Sequence, residues 1–295
     1  MKSVDISLNS VINYKNGLSI CLGYFDGVHL GHKKLIKQCE EKGRYEKAIL
    51  TFSEPISHFL NVNKSKDVIT SLTDRFRIVS RFNLDYYFIF HINKDFLNIS
   101  PIEFIDILKK MNAKEIYCGN DYRFGKDAKG DIDLLKQYFD VNVVDMYLVD
   151  NKKISTQKII DEIKNGYIES ANAKLGQNYQ ICGTVVKGLH NGTKFGIKTA
   201  NIKFDTNYVV PKNGVYKVII YIDNMPYKAI ANVGIHPTIS SLENPILEVH
   251  ILNYSNDVYG KNVYVEFLKF IREERKFSST DELVNQIKKD MESIK

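Results

Sequence analysis

The sequence predicts two folds in series: a doubly wound, Rossmann-like parallel α/β domain over residues 1–176, and a small antiparallel β-barrel over 177–295 that ends in a helix. Three observations predict this. Short apolar runs alternate with helix-period segments in the first half, which is the mark of a parallel sheet with crossover helices. In the second half the runs follow one another with turn residues alone between them, which favours a curled antiparallel sheet. The pattern changes across the polar break Asp150-Asn151-Lys152-Lys153 and a helical stretch at 154–176, so the boundary falls near Gln177.

Strands are expected at 19–22, 48–52, 86–92, 115–118 and 141–149, where near-continuous aromatic and β-branched residues suit burial on both faces. Helices are expected between them at 29–42, 73–82, 101–111 and 131–138. The third begins with Ser100 as N-cap, Pro101 at N1 and Glu103 at N3, and Ile102, Ile105 and Leu108 form its apolar stripe. The barrel strands are expected at 180–186, 215–222, 228–233, 247–254 and 263–271, with Asp223-Asn224 as a hairpin turn. The last helix has Ser279 as N-cap and Glu282 at N3, with Leu283, Ile287 and Met291 at spacings of four.

Composition narrows the function. A chain of 295 residues is long enough for two cores, and its formal charge of +6 is spread along the length rather than gathered in blocks. That argues against a nucleic-acid partner and is compatible with anionic small molecules. Cys21, Cys39, Cys118 and Cys182 have no CxxC spacing, so they read as apolar fillers in a reducing compartment rather than disulfide or zinc ligands. No signal pattern and no bilayer-length apolar run is present, so the expectation is a cytoplasmic protein without membrane contact.

The decapeptide Gly23-Tyr24-Phe25-Asp26-Gly27-Val28-His29-Leu30-Gly31-His32 directly follows the apolar run Ile20-Cys21-Leu22. An apolar run turning through glycines into a helix offers backbone N–H groups and a positive helix end to a nucleotide phosphate. His29 and His32, three apart in the first turn, would share a face and donate hydrogen bonds to it. The plain alternative is a tight strand-to-helix turn. Further on, Gly119-Asn120-Asp121-Tyr122-Arg123-Phe124-Gly125 combines an acid, a base and two aromatics after a strand end. There Asp121 and Arg123 could serve a phosphate and Tyr122 and Phe124 a ring system, or the acid and base could simply pair on the surface. Ser155, Thr156 and Lys158 at a helix start offer hydroxyls and charge for phosphate, with N-capping as the alternative. In the stretch 192–201, Gly192, Lys194 and Gly196 would let backbone and charge approach a polyphosphate, while the Thr199 hydroxyl and Asn201 carboxamide are hard ligands for Mg²⁺.

These segments together resemble the bacterial bifunctional riboflavin kinase/FAD synthetase family. The decapeptide is similar to its GxFDGxHxGH form of the nucleotidylyltransferase HxGH signature, 119–125 to its GxDFxFG motif, and 154–160 to ISSTRIR. In the second half 192–201 resembles the stretch ending GFPTAN, and 247–252 resembles EVHLLDF, whose glutamate is the general base of the kinase. That likeness implies Glu248 as base, whereas its strand alternation alone reads as a solvent-facing residue. Gly214 and Tyr216 lie in an NGVY-like segment, and Arg272 ends one similar to FLxFLR. The resemblance implies an enzyme that phosphorylates riboflavin with ATP and Mg²⁺ to FMN and adenylylates FMN to FAD. It implies small-molecule partners only, for a monomer or weak homo-oligomer, with Gly214, Tyr216 and Arg272 near flavin.

Departures from the family pattern leave alternatives open. Ile160 stands where ISSTRIR ends in arginine, and the histidine of a TFxPHP segment is missing after Thr51-Phe52, with His58 nearby. Lys198 replaces the proline of GFPTAN and His236 the arginine of RPT. An active kinase joined to an impaired adenylyltransferase is the alternative within the family. A non-catalytic flavin- or nucleotide-binding regulator is the alternative outside it.

Overall fold

The computed structural model describes residues 1–8, 12–56, 67–145, 147–149, 152–186, 199–204, 206–235, 245–254, 256–275 and 277–292. Its elements run β1 (Lys2–Ile6), β2 (Leu18–Leu22), α1 (Leu30–Lys42), β3 (Glu46–Phe52), α2 (Leu72–Val79), β4 (Tyr86–Phe90), α3 (Lys94–Asn98), α4 (Pro101–Lys110), β5 (Ala113–Gly119), α5 (Ile132–Lys136) and β6 (Asp140–Val144). They continue with β7 (Leu148–Val149), β8 (Lys152–Lys153), α6 (Thr156–Lys164), α7 (Ile168–Leu175), β9 (Tyr179–Val186), β10 (Thr199–Lys203), β11 (Gly214–Ile222), β12 (Met225–Ile235), β13 (Pro245–Ile251), β14 (Asn262–Arg272) and α8 (Thr280–Glu292). The chain divides into two compact units, Met1–Lys66 with Ser71–Ile154, and Asp67–Thr70 with Ser155–Lys295.

Among the described residues of the first unit, six strands form one sheet in the order β1-β4-β3-β2-β5-β6, each neighbouring pair parallel. This is the doubly wound arrangement read from the sequence. Every residue of β2 is buried, because alternate side chains serve two cores. Leu18, Ile20 and Leu22 join Phe88, Phe104 and Leu108 on one face, and Cys21 joins Ile36, Cys39 and Ile49 on the other. From β2 the chain builds outward through β3 to β4, then crosses back to β5 and β6. The order therefore reverses between β2 and β5, where open α/β sheets leave a crevice at the carboxyl ends of their strands.

Several local expectations are corrected. The edge strand β1 was not expected, since just one of its five residues is buried and it carries no apolar run. The short α3 was likewise not expected. The strand expected over 141–149 ends at Val144, and Leu148–Val149 pairs instead with Lys152–Lys153. The helix over 154–176 is two helices, broken where Gly166 takes the left-handed φ of 79° that glycine tolerates. The capping box of α4 is present, with the Glu103 amide donating to Ser100 Oγ at 3.2 Å and the Ser100 amide to Glu103 at 2.6 Å. Its buried face, however, is Phe104, Ile105, Ile107 and Leu108, and Ile102 is 45 % exposed.

In the second unit six strands, again among the described residues, close a barrel in the order β10-β13-β12-β11-β14-β9, all antiparallel. The strand β10 was read as loop because its alternation spans five residues beside a glycine-rich stretch. Asp223 and Asn224, at φ 52° and 66°, make the expected two-residue hairpin between Ile222 and Met225. The C-terminal helix is fastened by Arg272, whose Nε and Nη2 both donate to buried Asp290, at 3.0 and 2.7 Å to Oδ2.

At the amino end of the parallel sheet, Glu115 is buried in β5 yet charged. Its carboxylate accepts from Ser19 Oγ at 2.5 Å and the Arg44 amide at 2.9 Å, and it also takes Arg44 Nε. Burial pushes its carboxyl up, but the Ser19 and Arg44 hydrogen bonds outweigh that, and its pKa lies below the ordinary value. A carboxylate so depressed adds stability above the ordinary glutamate pKa, and the gain is lost as pH falls through the folded value. Glu115→Gln is therefore expected to lower the stability of the first unit at neutral pH by about 1.5–3 kcal/mol. It should also flatten the acid side of its stability profile, both readable by hydrogen exchange of β2 and β5 amides; an unchanged acid profile would count against the network.

Candidate active sites

The turn after β2 is strained in a way the sequence required. Phe25 and Val28 have left-handed φ values of 58° and 41°, costly for residues with a Cβ and most of all for a β-branched one, and Gly27 at 71° carries the turn between them. The strain is held by burial: Phe25, Val28 and Asp26 are all nearly inaccessible, and the Gly23 amide donates to the Leu50 carbonyl at 3.3 Å. This turn delivers His29 as the N-cap of α1. Its Nδ1 accepts the His32 amide at 3.3 Å, so Nδ1 is unprotonated and the ring proton sits on Nε2. The two imidazoles stack with centroids 3.6 Å apart, and Phe25 meets His32 edge-on at 5.2 Å.

Both rings are neutral. Burial presses the His29 pKa down to about 4, with the charges of Lys153 and Lys33 adding to it against a backbone hydrogen bond. Burial also lowers His32, helped by His29 and by Arg75. Among the described residues His32 Nδ1 is buried with no hydrogen-bond partner. A stacked neutral pair at a helix start, with one nitrogen buried and unpaired, is poised to meet a polar ligand. Gly31 lies in the first turn of α1 beside the His29 ring.

The loop after β5 stands across the switch point from this turn, as the sheet order requires. Asp121 pairs with Lys153 at 2.5 Å and Arg123 with Asp131 at 3.3 Å, so each is engaged outside the Asp–Arg couple. Phe124 is buried against Phe104, with ring centroids 5.3 Å apart, while Tyr122 lies over Phe124 at 6.0 Å and is half-buried. Burial raises the Tyr122 phenol pKa, which keeps it a neutral hydrogen-bond donor. Ser155 caps α6 by accepting the Lys158 amide at 3.3 Å, with Thr156 as first helical residue, and these residues belong to the second compact unit. Gly192, Lys194 and Gly196 lie outside the described residues, as do His58 and His236.

On the barrel, register does what no local pattern could. Asn201 of β10 stands directly opposite Glu248 of β13, and Thr199 opposite His250. Their neighbours Ala200, Ile202, Leu247 and Val249 are buried, so all four lie on the outer face. Gly214 opens β11, and Tyr216 is fully buried against Phe267 and Phe270, its hydroxyl donating to the Lys212 carbonyl. Arg272 is committed to Asp290.

Two residues emerge to which the sequence reading gave no role. Asn232 of β12 is paired with Glu248 on the side opposite Asn201. Its Nδ2 donates to Glu274 at 3.0 Å, and its Oδ1 is buried without a partner among the described residues. Both depend on cross-strand register, which the sequence does not display. Arg75, 1 % exposed, donates to the backbone of Tyr24 and Phe52. A signal for it was present: an arginine in line with Ile78 and Val79 on the apolar stripe of α2.

Two family models match the chain: one described as FAD synthetase over residues 11–161 and one described as riboflavin kinase over 175–295. Among curated relatives, a Bifunctional riboflavin kinase/FMN adenylyltransferase of Bacillus subtilis is 36 % identical, covering 98 % of this chain and 96 % of its own. The protein of the same description from Listeria monocytogenes is 33 % identical over 92 % of this chain and 89 % of its own. A crystal structure described as a macrolide-efflux protein from Streptococcus pneumoniae superposes with a TM-score of 0.90 at 32 % identity, covering 98 % of this chain and 97 % of that one. Among the described residues of this chain no helix is long and apolar enough to cross a membrane. Likeness that spans both units in one order, with relatives about a third identical along nearly their whole length, leaves one conclusion: the chain belongs to the bifunctional riboflavin kinase/FMN adenylyltransferase family.

Proposed function

We propose that this chain makes flavin cofactors in two steps, phosphorylating riboflavin to FMN with ATP and then adenylylating FMN to FAD with release of pyrophosphate. The observation that carries the proposal is that one chain combines the strained 23–32 turn at a sheet switch point with a barrel face that sets Asn201 against Glu248. In the kinase step Glu248 takes the proton of the ribityl primary hydroxyl, whose oxygen attacks the γ-phosphorus of ATP as the bond to the β,γ-bridging oxygen breaks and ADP leaves. The Thr199 hydroxyl and Asn201 carboxamide are oxygen donors on one face, which fits Mg²⁺. Among the described residues no group of three or more His, Cys, Asp or Glu gathers for a metal, so substrate phosphates would complete its shell. When bound, the ion draws charge from the phosphate oxygens. Gly192, Lys194 and Gly196 are assigned to the polyphosphate, and Gly214, Tyr216 and Arg272 to shaping the flavin side, by their family likeness.

In the second step a phosphate oxygen of FMN attacks the α-phosphorus of ATP in line, the bond to the bridging oxygen breaks and pyrophosphate leaves. His29 Nε2–H and His32 stabilise charge on the transferring group, and backbone amides of the turn holding Gly23, Phe25, Asp26, Gly27 and Gly31 receive nucleotide phosphate. Asp121, Arg123, Ser155, Thr156 and Lys158 are assigned to nucleotide binding, and Tyr122 and Phe124 to the flavin side, on the same likeness. The activities divide near Gln177, in accord with a riboflavin kinase match that begins at residue 175. The setting is a cytoplasmic monomer or weak homo-oligomer acting on small molecules without nucleic acid. Ile160 favours one second reading, in which the transferase is impaired, since an isoleucine cannot pair with phosphate.

Three measurements test these assignments. Purified protein given riboflavin and labelled ATP is expected to yield FMN and FAD; FMN alone, with none converted when FMN is supplied directly, would select the impaired reading, and neither product would end the proposal. Glu248→Gln should lower FMN formation by about 10²- to 10⁴-fold while FAD synthesis from supplied FMN persists, and His29→Asn should do the reverse. Because the His29 pKa is near 4, its neutral form persists above about pH 5, and burial shifts His32 in the same direction. The imidazole NMR signals of His29 and His32 in the free enzyme should then show no titration between about pH 6 and 8, and a protonation step there would show that the pair is not neutral.

A further inference from the structure

We infer that Arg75 is a positioning residue for adenylyl transfer, holding the turn after β2 and the end of β3 in one fixed relation; the inference rests on the reading of the first unit as an adenylyltransferase. Arg75 sits on α2 beside Ile78 and Val79, where an apolar side chain would meet the demands of packing alone. Instead its guanidinium is inside, 1 % exposed. One nitrogen, Nη1, donates to the Tyr24 carbonyl at 2.7 Å, to Thr51 Oγ1 at 3.0 Å and to the Phe52 carbonyl at 3.3 Å. Thr51 Oγ1 in turn donates to the same Tyr24 carbonyl at 2.7 Å, which closes a small ring of hydrogen bonds. The guanidinium carbon lies 4.3 Å from the Tyr24 ring centroid, so the residue is held through both its backbone and its side chain.

Tyr24 is the residue before Phe25, where the strained left-handed stretch begins that leads to His29. A turn with unfavourable φ values keeps its shape when something outside it removes the freedom to relax, and the Arg75 fork grips it at its first residue. The oxygens it binds are neutral acceptors, and its Nε is buried with no partner among the described residues. A desolvated cation in this arrangement is poorly explained by stability, since a buried charge is costly to desolvate. It is well explained by placement, because misplacing reacting groups by about 1 Å can cost about a hundredfold in rate. Lysine would keep the charge but lacks the planar group that lies over the Tyr24 ring, and it carries its nitrogen on a flexible stem.

The test uses the full chain, with protection of the β2 and β5 amides from hydrogen exchange reporting the folding of the first unit and riboflavin phosphorylation that of the second. In Arg75→Met, kcat for FAD synthesis from FMN and ATP should fall by about tenfold or more with riboflavin phosphorylation unchanged. Arg75→Lys, which keeps the charge without the planar group, should also leave kcat low with the KM for ATP unchanged. Thr51→Val, which removes the hydroxyl of the ring, should lower kcat less, and in each variant the 23–29 amides should exchange faster with deuterium. Wild-type kcat and exchange in Arg75→Met and Thr51→Val overturn the inference. Should the β2 and β5 amides lose their protection in Arg75→Met, the first unit has unfolded, and Thr51→Val decides: lowered kcat with those amides protected supports the role, unchanged kcat overturns it. A wild-type protein that makes no FAD defeats the adenylyltransferase reading separately, and the exchange of the 23–29 amides then decides whether Arg75 orders the turn.

Discussion

A parallel sheet buried on both faces can present chemistry at its strand ends alone, since its surfaces are covered and its edges are few. In the first unit β2 lies between β3 and β5, so the chain leaves its carboxyl end toward one side and later returns beside it from the other. The crevice this leaves is flanked by the turn after β2 and the loop after β5. Everything distinctive about the turn follows from having to redirect the chain there within a few residues. Left-handed φ values at Phe25, Gly27 and Val28 bend it, the buried ring of Phe25 anchors it, and the imidazole of His29 then does the work usually given to serine or aspartate as N-cap. An imidazole that caps a helix must keep Nδ1 free of a proton. One hydrogen bond thus fixes the tautomer, favours the neutral form and aims the remaining N–H away from the helix.

The barrel solves a different problem. Its strands have no free ends at a crevice, and polar groups are brought together by cross-strand pairing on the outer face. Asn201, Glu248 and Asn232 come from three strands and share a row because β10, β13 and β12 pair in one particular register. Their buried neighbours enforce it: a slip by one residue would send Ala200, Val249 and Ala231 outward and the polar row inward. The core of the barrel is in this sense what aligns the polar row. The same face carries the apolar Val215 and Ile230, packed near Met291 of α8, so the outer surface is divided between a helix seat and a polar row.

Legibility in the sequence follows the range of the interactions concerned. The central strands, the α4 capping box and the Asp223-Asn224 hairpin are set by neighbours within a few positions, and they could be read directly. The edge strand β1 could not, because it owes its conformation to pairing with β4, more than eighty residues away, rather than to its own pattern. Ile102 was misplaced because Phe104 and Ile107 compete for the same helix face and three apolar positions suit more than one stripe. For the sites, motif likeness located the 23–32 turn and the Glu248 strand. It gave no role to Asn232, whose meaning is its register, or to Arg75, whose partners lie on two other segments. The roles assigned to Phe124 and Arg272 came with no information about burial or pairing; one ring lies in the core, and one guanidinium is engaged with Asp290.

The two solutions differ in what they ask of the rest of the chain. A strand-end turn stores its order locally, as strain, and needs a grip from outside to keep it; that is supplied by side chains such as Arg75 that reach between segments. A polar row on a barrel stores its order globally, in a register that many backbone hydrogen bonds share, and no individual side chain carries it. Changes near the turn should therefore act on rate before they act on folding, while changes in the barrel core should act on folding and rate together. The buried polar atoms fit this contrast. His32 Nδ1 and Arg75 Nε are buried beside the turn with no partner among the described residues, whereas on the barrel Asn232 keeps one hydrogen bond to Glu274 while its oxygen is unpaired.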